Sequence, residues 1–171
     1  MQKQTKNNLY LLLLVITLLL TYFALKKKYA IDADLRLPLS TDVIESIEIT
    51  HSNVLKLKKQ NDTWLLVSPL QGEIRKEKIE KILTYLQLPV KAGFDANPDQ
   101  FSLYGLDKAR LTVKLNDETL SFGQLNTNEQ MHYVLFKNKV YLVHPFLQIS
   151  FDVSAADLLV ENETETLSNM N

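Results

Sequence analysis

The sequence predicts an α+β fold: a single N-terminal transmembrane helix followed by an antiparallel, hairpin-rich domain that carries an amphipathic helix. Three observations predict it. An uncharged apolar run, Leu9 to Leu25, precedes a body built of short apolar or alternating runs. Turn residues of the Asn/Asp type separate those runs by only a few positions, which suits hairpins. One stretch, Ile79 to Leu86, switches to helical period.

The apolar run LYLLLLVITLLLTYFAL is closed by Lys26-Lys27-Lys28. At about 1.5 Å rise per residue it spans about 25 Å, slightly short of a hydrocarbon core. Tyr10 and Tyr22 suit the two headgroup levels, and the lysines can snorkel outward, which lengthens the effective span. A cleaved signal peptide is the rival reading. The basic Lys3 and Lys6 fit it, but the apolar core exceeds the usual ~7–15 residues and lysines stand where a cleavage site needs small residues. The chain has no cysteine, so a lipoprotein anchor is excluded. An uncleaved anchor is therefore favoured, with residues 1–8 as a short cytoplasmic N-terminus. Charge does not orient it: Lys3 and Lys6 favour an inside N-terminus, and Lys26 to Lys28 favour the reverse.

Residues 26–42 read as a juxtamembrane linker in which Pro38 limits any continuous helix, and residues 43–160 as one domain. VIESIEI, VLKLK and TWLLV have strand patterning and are separated by HSN and QND turns. In VLKLK the apolar Val54, Leu55 and Leu57 oppose Lys56 and Lys58 across the pleat. Ile79, Ile82, Leu83 and Leu86 recur at i, i+3, i+4 and i+7, a single buried helical stripe that Pro89 ends. Residues 90–104 read as turn-rich. LTVKL pairs with LSF across Asn116-Asp117, and HYVLFK with VYLV across Asn138-Lys139. FLQISF reads as a short helical turn, and Ser154 as the cap of another at Ala155 to Leu159, with Asp157 at its third position. Residues 161–171 read as a disordered acidic tail. Trp64-Leu65-Leu66-Val67-Ser68-Pro69 and Tyr141-Leu142-Val143-His144-Pro145 resemble each other, and each precedes a helical pattern. Either two similar β-hairpin–helix units or coincidental strand ends produces this.

All 20 acidic residues lie beyond residue 28, whereas five of the 19 basic ones (Lys3, Lys6, Lys26, Lys27, Lys28) precede it, so the body is acidic. Such a body is a poor nucleic-acid binder and a poor candidate for lying on anionic lipid. The histidines are His51, His132 and His144, with no HExxH or paired-histidine spacing, so no metal site is expected. His132 and His144 sit on neighbouring strands, where two unrelated surface histidines are the default. No GxSxG, GxxxxGK or GxGxxG occurs, and four glycines offer little for a phosphate cradle, so no catalytic residue and no cofactor is expected. Asp95 with Asp99 and Glu45 with Glu48 read as solvated acids without the regular spacing of a calcium loop. Lys56, Lys58 and Lys59 with Lys76, Lys78 and Lys81 form a basic patch only if their two faces adjoin.

The most distinctive string is Tyr104-Gly105-Leu106-Asp107. As a turn, it uses Gly105 at positive φ, Tyr104 and Leu106 as plugs in the core, and Asp107 bonded to the following backbone. As a docking loop, it presents an exposed aromatic. The turn reading is favoured, and Trp64 reads as a core anchor rather than a ligand platform.

IESIEI, the lysine-rich strand, Trp64 before Pro69, the amphipathic helix, Tyr-Gly-Leu-Asp with its following strand, Phe122-Gly123, the Tyr133 strand and Val140-Tyr141-Leu142 together give a likeness over residues 43–160. The chain thereby resembles a bacterial membrane-anchored domain-of-unknown-function family associated with ABC-type export and gliding-motility auxiliary proteins. Ala109 departs from a proline common there, which loosens the turn. His132 replaces a common arginine, which weakens any anion grip. The resemblance implies an inner-membrane anchor with a periplasmic C-terminal domain, and it implies no reaction. Two expectations follow. The first is a non-catalytic envelope protein, bound to the bilayer through residues 9–25, whose domain docks an envelope or transporter protein. The second is a ligand-binding or enzymatic domain with a site assembled from dispersed residues.

Overall fold

The computed structural model describes residues 2–28 and 35–160, with side chains described for 10–23 and 35–160. The chain divides into two compact units, Met1–Ile31 and Asp32–Asn171. The tail expected at 161–171, residue 1, all side chains of residues 1–9 and 24–28, and positions 29–34 of the linker lie outside what is described.

The first unit contains one helix, α1 (Gln2–Lys28, 27 residues). Tyr10, Leu11 to Ile16, Leu18 to Leu20, Tyr22 and Phe23 are all exposed, between 42 and 68 %. Because they are consecutive, they clothe the helix on every side rather than along one stripe. Thr17 and Thr21 each donate their hydroxyl to the carbonyl three residues back, Leu14 and Leu18, at 2.8 and 2.9 Å, so neither hydroxyl is left unpaired. Among the described residues no helix is long and apolar enough to cross a membrane. The run 9–25 extends past the described side chains at both ends.

The second unit is α+β, a nine-stranded antiparallel sheet with short helices. Its strands are β1 (Ser46–Thr50), β2 (Val54–Gln60), β3 (Thr63–Ser68), β4 (Gly72–Glu73), β5 (Ala92–Asp95), β6 (Leu111–Leu115), β7 (Glu118–Asn126), β8 (Met131–Phe136) and β9 (Lys139–Val143). The spatial order is β4-β3-β2-β1-β6-β7-β8-β9-β5. The helices are α2 (Lys76–Leu86), α3 (Phe101–Tyr104), α4 (Pro145–Phe151) and α5 (Ala155–Leu158). Each expected strand is present, because alternating runs were separated by residues that tolerate positive φ: Asn61 and Asp62, Asn116, and Lys137 with Asn138. The last turn is centred on Lys137-Asn138, one residue before the expected Asn138-Lys139.

Three expectations need correction. Residues 90–104 are not only turns: Ala92–Asp95 is an edge strand paired to β9, and Pro98–Gln100 forms a 3-10 turn leading into α3. Residues 35–42 are not linker. Leu37 is 4 % exposed, Leu35 accepts from Val90 N–H at 2.8 Å, and Arg36 donates to the Gln87 carbonyl, so the packed domain begins at least eight residues before Val43. Finally, Lys56 and Lys58 alternate with buried Leu55 and Leu57 and so face away from α2, whose Ile79, Ile82 and Leu86 share a core with those leucines. The six lysines are not one patch.

One sheet face, the inner one, holds the main core. Ile47, Leu57, Leu66 and Leu115 lie side by side by register, as do Ile49, Leu55, Val113 and Leu120, then Leu111, Phe122, Val134 and Tyr141. Ile79, Ile82 and Leu86 of α2 and Leu147 and Phe151 of α4 close it. The outer face differs along its length. Over β1, β2 and β6 it is open, with Glu48 opposite both Lys56 and Lys114, and Lys58 opposite Ser46. Over β8, β9 and β5 it is roofed: Val140 and Leu142 are 0 and 7 % exposed although they point away from the main core.

Candidate functional site

The roof is the Tyr104-Gly105-Leu106-Asp107 segment. Register aligns Tyr133 with Leu142, and Phe94 with Val140, on the outer face. Tyr104, delivered by α3, lies between them, with ring centroids 5.5 Å from Phe94 and 4.8 Å from Tyr133. Gly105 caps α3 at φ 66, and Leu106 is 7 % exposed. Tyr104 therefore plugs a second, outer core rather than the main one. Asp107 is exposed, and among the described residues its carboxylate accepts no hydrogen bond from the following backbone. That part of the turn reading is corrected.

The segment fits because of a bulge. Between Phe122 and Leu125 the register of β7 on β8 slips by one residue, at Gly123-Gln124. A side chain at Gly123 would lie far inside contact distance of the Tyr104 carbonyl oxygen, and one at Gly105 would come within 2.9 Å of the Gln124 nitrogen. Two facing glycines therefore let two backbones meet. The Gln124 side-chain amide Nε2 donates to the Leu103 carbonyl at 2.6 Å. His132, across the bulge, has its Nδ1 3.4 Å from the Gly123 carbonyl. Burial lowers the His132 pKa, and that carbonyl contact opposes the shift.

Beside this junction a cavity of about 470 Å³ opens between the start of β6, the bulge and the end of α4. Leu111 and Phe122 line its apolar part. Asp107, Lys108, Arg110 and Gln148 line its polar part. Among the described residues Lys108 and Arg110 have no carboxylate within 4 Å. At its side His51 Nδ1 lies 3.2 Å from Asp152 Oδ1, with the two side chains 42 and 62 % exposed, so the pair is solvent-screened. Apolar floor, unpaired cations and an unpaired carboxylate together suit hydrogen bonding and ion pairing with a polar chain.

Trp64 is elsewhere. It is 8 % exposed, a core residue as expected, and it borders a separate cavity of about 530 Å³ with Thr41, Glu80 and Gln87. The structure thus unites Tyr104, Gly105, Leu106 and Asp107 but does not bring Trp64 to them. His132 and His144 do not converge: His132 pairs across from Val143, so the next residue projects to the opposite side, and the His144 ring accepts from Phe146 N–H at the start of α4. Glu48 lies 3.2 Å from Lys56, and Asp95 3.6 Å from Lys139. Among the described residues no three His, Cys, Asp or Glu side chains converge as metal ligands would. Sequence reasoning missed Lys108, Arg110, Gln148 and the His51–Asp152 pair. Only the proximity of Lys108 and Arg110 to the Tyr-Gly-Leu-Asp string signalled any of them.

Residues 64–169 match the model of a family described as a domain of unknown function, DUF4340. The match begins at Trp64, inside β3, and leaves β1 and β2 outside it, whereas the likeness drawn from the residues began at 43. No curated protein and no solved structure matches.

Proposed function

We propose that this chain, which belongs to the DUF4340 family, is a single-pass, membrane-anchored, non-catalytic envelope protein whose domain docks a partner protein. The observation that carries the anchor is the bare apolar surface of α1. Nine consecutive or nearly consecutive aliphatic side chains, Leu11 to Leu20 around Thr17, are exposed on all sides, and burying them in lipid stabilises the chain where water does not. The internally bonded Thr17 and Thr21 hydroxyls agree with it, because hydrocarbon supplies no partner for them.

The docking surface is the cleft beside Gly105 and Gly123. It combines an apolar floor with Lys108 and Arg110, which among the described residues have no carboxylate within 4 Å, although Asp107 lines the same cleft. An acidic segment of an envelope or transporter protein fits that chemistry. The family resemblance supports a periplasmic domain on an inner-membrane anchor and an accessory role in transport or envelope assembly. The tether keeps the domain at high effective concentration near membrane partners, which compensates for a small interface.

The test is in-cell crosslinking with the full chain, comparing it with the double variant Lys108→Glu/Arg110→Glu. A crosslinked membrane protein that the wild-type chain captures and the variant loses is the expected result. Equal capture by both overturns the cleft assignment. A reporter fused after Asn171 that is active only in the cytoplasm overturns the periplasmic placement.

A further inference from the structure

Outside that cleft, the second unit carries an apolar patch with lysines at its rim. On α2, Lys78, Lys81 and Tyr85 fall at i, i+3 and i+7 and form a stripe beside the buried Ile79, Ile82 and Leu86. On α4, Phe146 and Ile149 are 50 and 62 % exposed at i and i+3. The two helices pack so that Tyr85 stacks on Phe146, with ring centroids 5.7 Å apart and planes 26° apart. Lys81 Nζ sits 5.8 Å from the centre of the Tyr85 ring. Between the helices lies a groove of about 400 Å³. Aromatic and aliphatic tips framed by lysines form the pattern of a surface that rests in a lipid headgroup layer.

Two features of the domain select the occupant. The first is charge. The body is acidic, and Asp152 and Asp157 line the groove itself: Asp152 lies 3.2 Å from His51, and Asp157 closes the Ser154 capping box within Coulombic range of Lys78, while Glu80 lies 3.6 Å from Lys76 and Glu77 3.9 Å from Arg75. Among the described residues Lys78 and Lys81 have no carboxylate within 4 Å. The second is the point of chain entry. Leu35 and Arg36 bond to Val90 and Gln87, just past the C-terminal end of α2 and two residues from Tyr85. Residues 29–34 separate that point from the end of α1, and even fully extended they reach only on the order of 25 Å.

We propose that the Lys78, Lys81, Tyr85, Phe146 and Ile149 face is a lipid-docking surface for anionic phospholipid headgroups. The argument from chain entry rests on the anchor reading; the patch itself does not. Phe146 and Ile149 enter the upper acyl region, Tyr85 sits at headgroup level, and Lys78 and Lys81 pair with lipid phosphates. The domain then lies on the bilayer by this face and leaves the cleft at Lys108 and Arg110 for a partner.

The absence of cysteine permits single-cysteine labelling of the full chain in proteoliposomes. Ile149→Cys probes the patch, Leu14→Cys the helix, and Thr119→Cys the exposed outer sheet face. Each carries an environment-sensitive fluorophore, and nitroxide-labelled phospholipid is the quencher. In phosphatidylcholine vesicles containing a phosphatidylglycerol minority, the Ile149 probe is expected to quench several-fold more than the Thr119 probe. Lys78→Glu/Lys81→Glu, or pure phosphatidylcholine, is expected to remove most of that difference. An Ile149 probe no more quenched than Thr119 beside a strongly quenched Leu14 overturns the docking face and leaves the anchor standing. Quenching at Ile149 without quenching at Leu14 overturns the anchor and sustains the face. Quenching indifferent to phosphatidylglycerol and to charge reversal overturns the anionic headgroup. Shielding without lipid quenching that grows with protein density overturns lipid in favour of a second copy of the chain.

Discussion

β1, β2 and β3 bury only their inner side chains, whereas β9, flanked by β8 and β5, buries both sets. The first group keeps strict alternation, as in Leu55-Lys56-Leu57-Lys58, and exposes an outer face of Glu48, Lys56, Lys58 and Lys114. The second loses it: Val140-Tyr141-Leu142-Val143 is buried throughout, because the segment from Pro98 to Leu106 folds over the outer face and Tyr104 lies on Tyr133 and Phe94. A strand covered on both sides becomes a continuous apolar run, as in parallel sheets, though every pairing here is antiparallel. The difference assigns the Tyr-Gly-Leu-Asp string its structural task. It covers one end of the sheet and, in doing so, creates the wall of the cleft.

The largest expected effect lies where the two groups are alike. Phe136 and Leu57 are 0 and 1 % exposed on the shared inner face. Phe136→Ala is expected to cost about 4 kcal/mol and Leu57→Ala about 3 kcal/mol, by lost transfer energy plus residual cavity. Trp64, the single tryptophan, lies in the first group and reports denaturant unfolding. If the inner core is one cooperative unit, Phe136→Ala moves the Trp64 transition even though it sits in the other group. An unchanged Trp64 midpoint would show the two groups unfolding independently.

Next is the junction of the roof. Gly123→Ala forces a methyl group onto the Tyr104 carbonyl, and neither backbone can give way without opening the bulge. The expected cost is about 3 kcal/mol, together with loss of partner capture at the cleft. Native thermal stability in this variant would mean that the roof detaches at no cost. Smaller still is Tyr104→Ala, at about 2 kcal/mol for a half-buried aromatic with two ring neighbours. The matched substitution on the open outer face, Lys58→Ala, is expected to change stability by less than about 0.5 kcal/mol. Equal effects would erase the distinction between roofed and open faces.

The same contrast explains what was legible. Where one face is wet, as in VLKLK, and where the helix stripe Ile79, Ile82, Leu86 is one-sided, periodicity located the elements. The Ser154–Asp157 capping box was readable because its chemistry is local. Ala92–Asp95 was not readable as a strand, since it is short and its partner β9 lies more than forty residues on; nor were residues 35–42 readable as part of the core, because Leu37 has no local pattern. Gly105 was recognisable as a positive-φ turn, but its facing Gly123 was not, because close approach of two backbones leaves no trace in spacing. The cleft cations were hidden for the same reason: Arg110 and Gln148 come to line one cleft only through the fold.

The smallest effect tests how deeply the roofed end excludes water. Burial depresses the His132 pKa, partly offset by the Gly123 carbonyl. The folded state therefore binds its proton less readily than the unfolded chain, whose histidine titrates near the ordinary value of about 6.5. The stability contribution is fully present above about pH 6.5 and is lost as pH falls through the depressed folded value, since the unfolded state then binds more protons. His132→Gln is expected to flatten the stability profile between about pH 7 and pH 5 relative to the wild-type chain. If His132→Gln leaves the profile unchanged, burial does not reach the strand end at His132, and the roof stops short of the bulge.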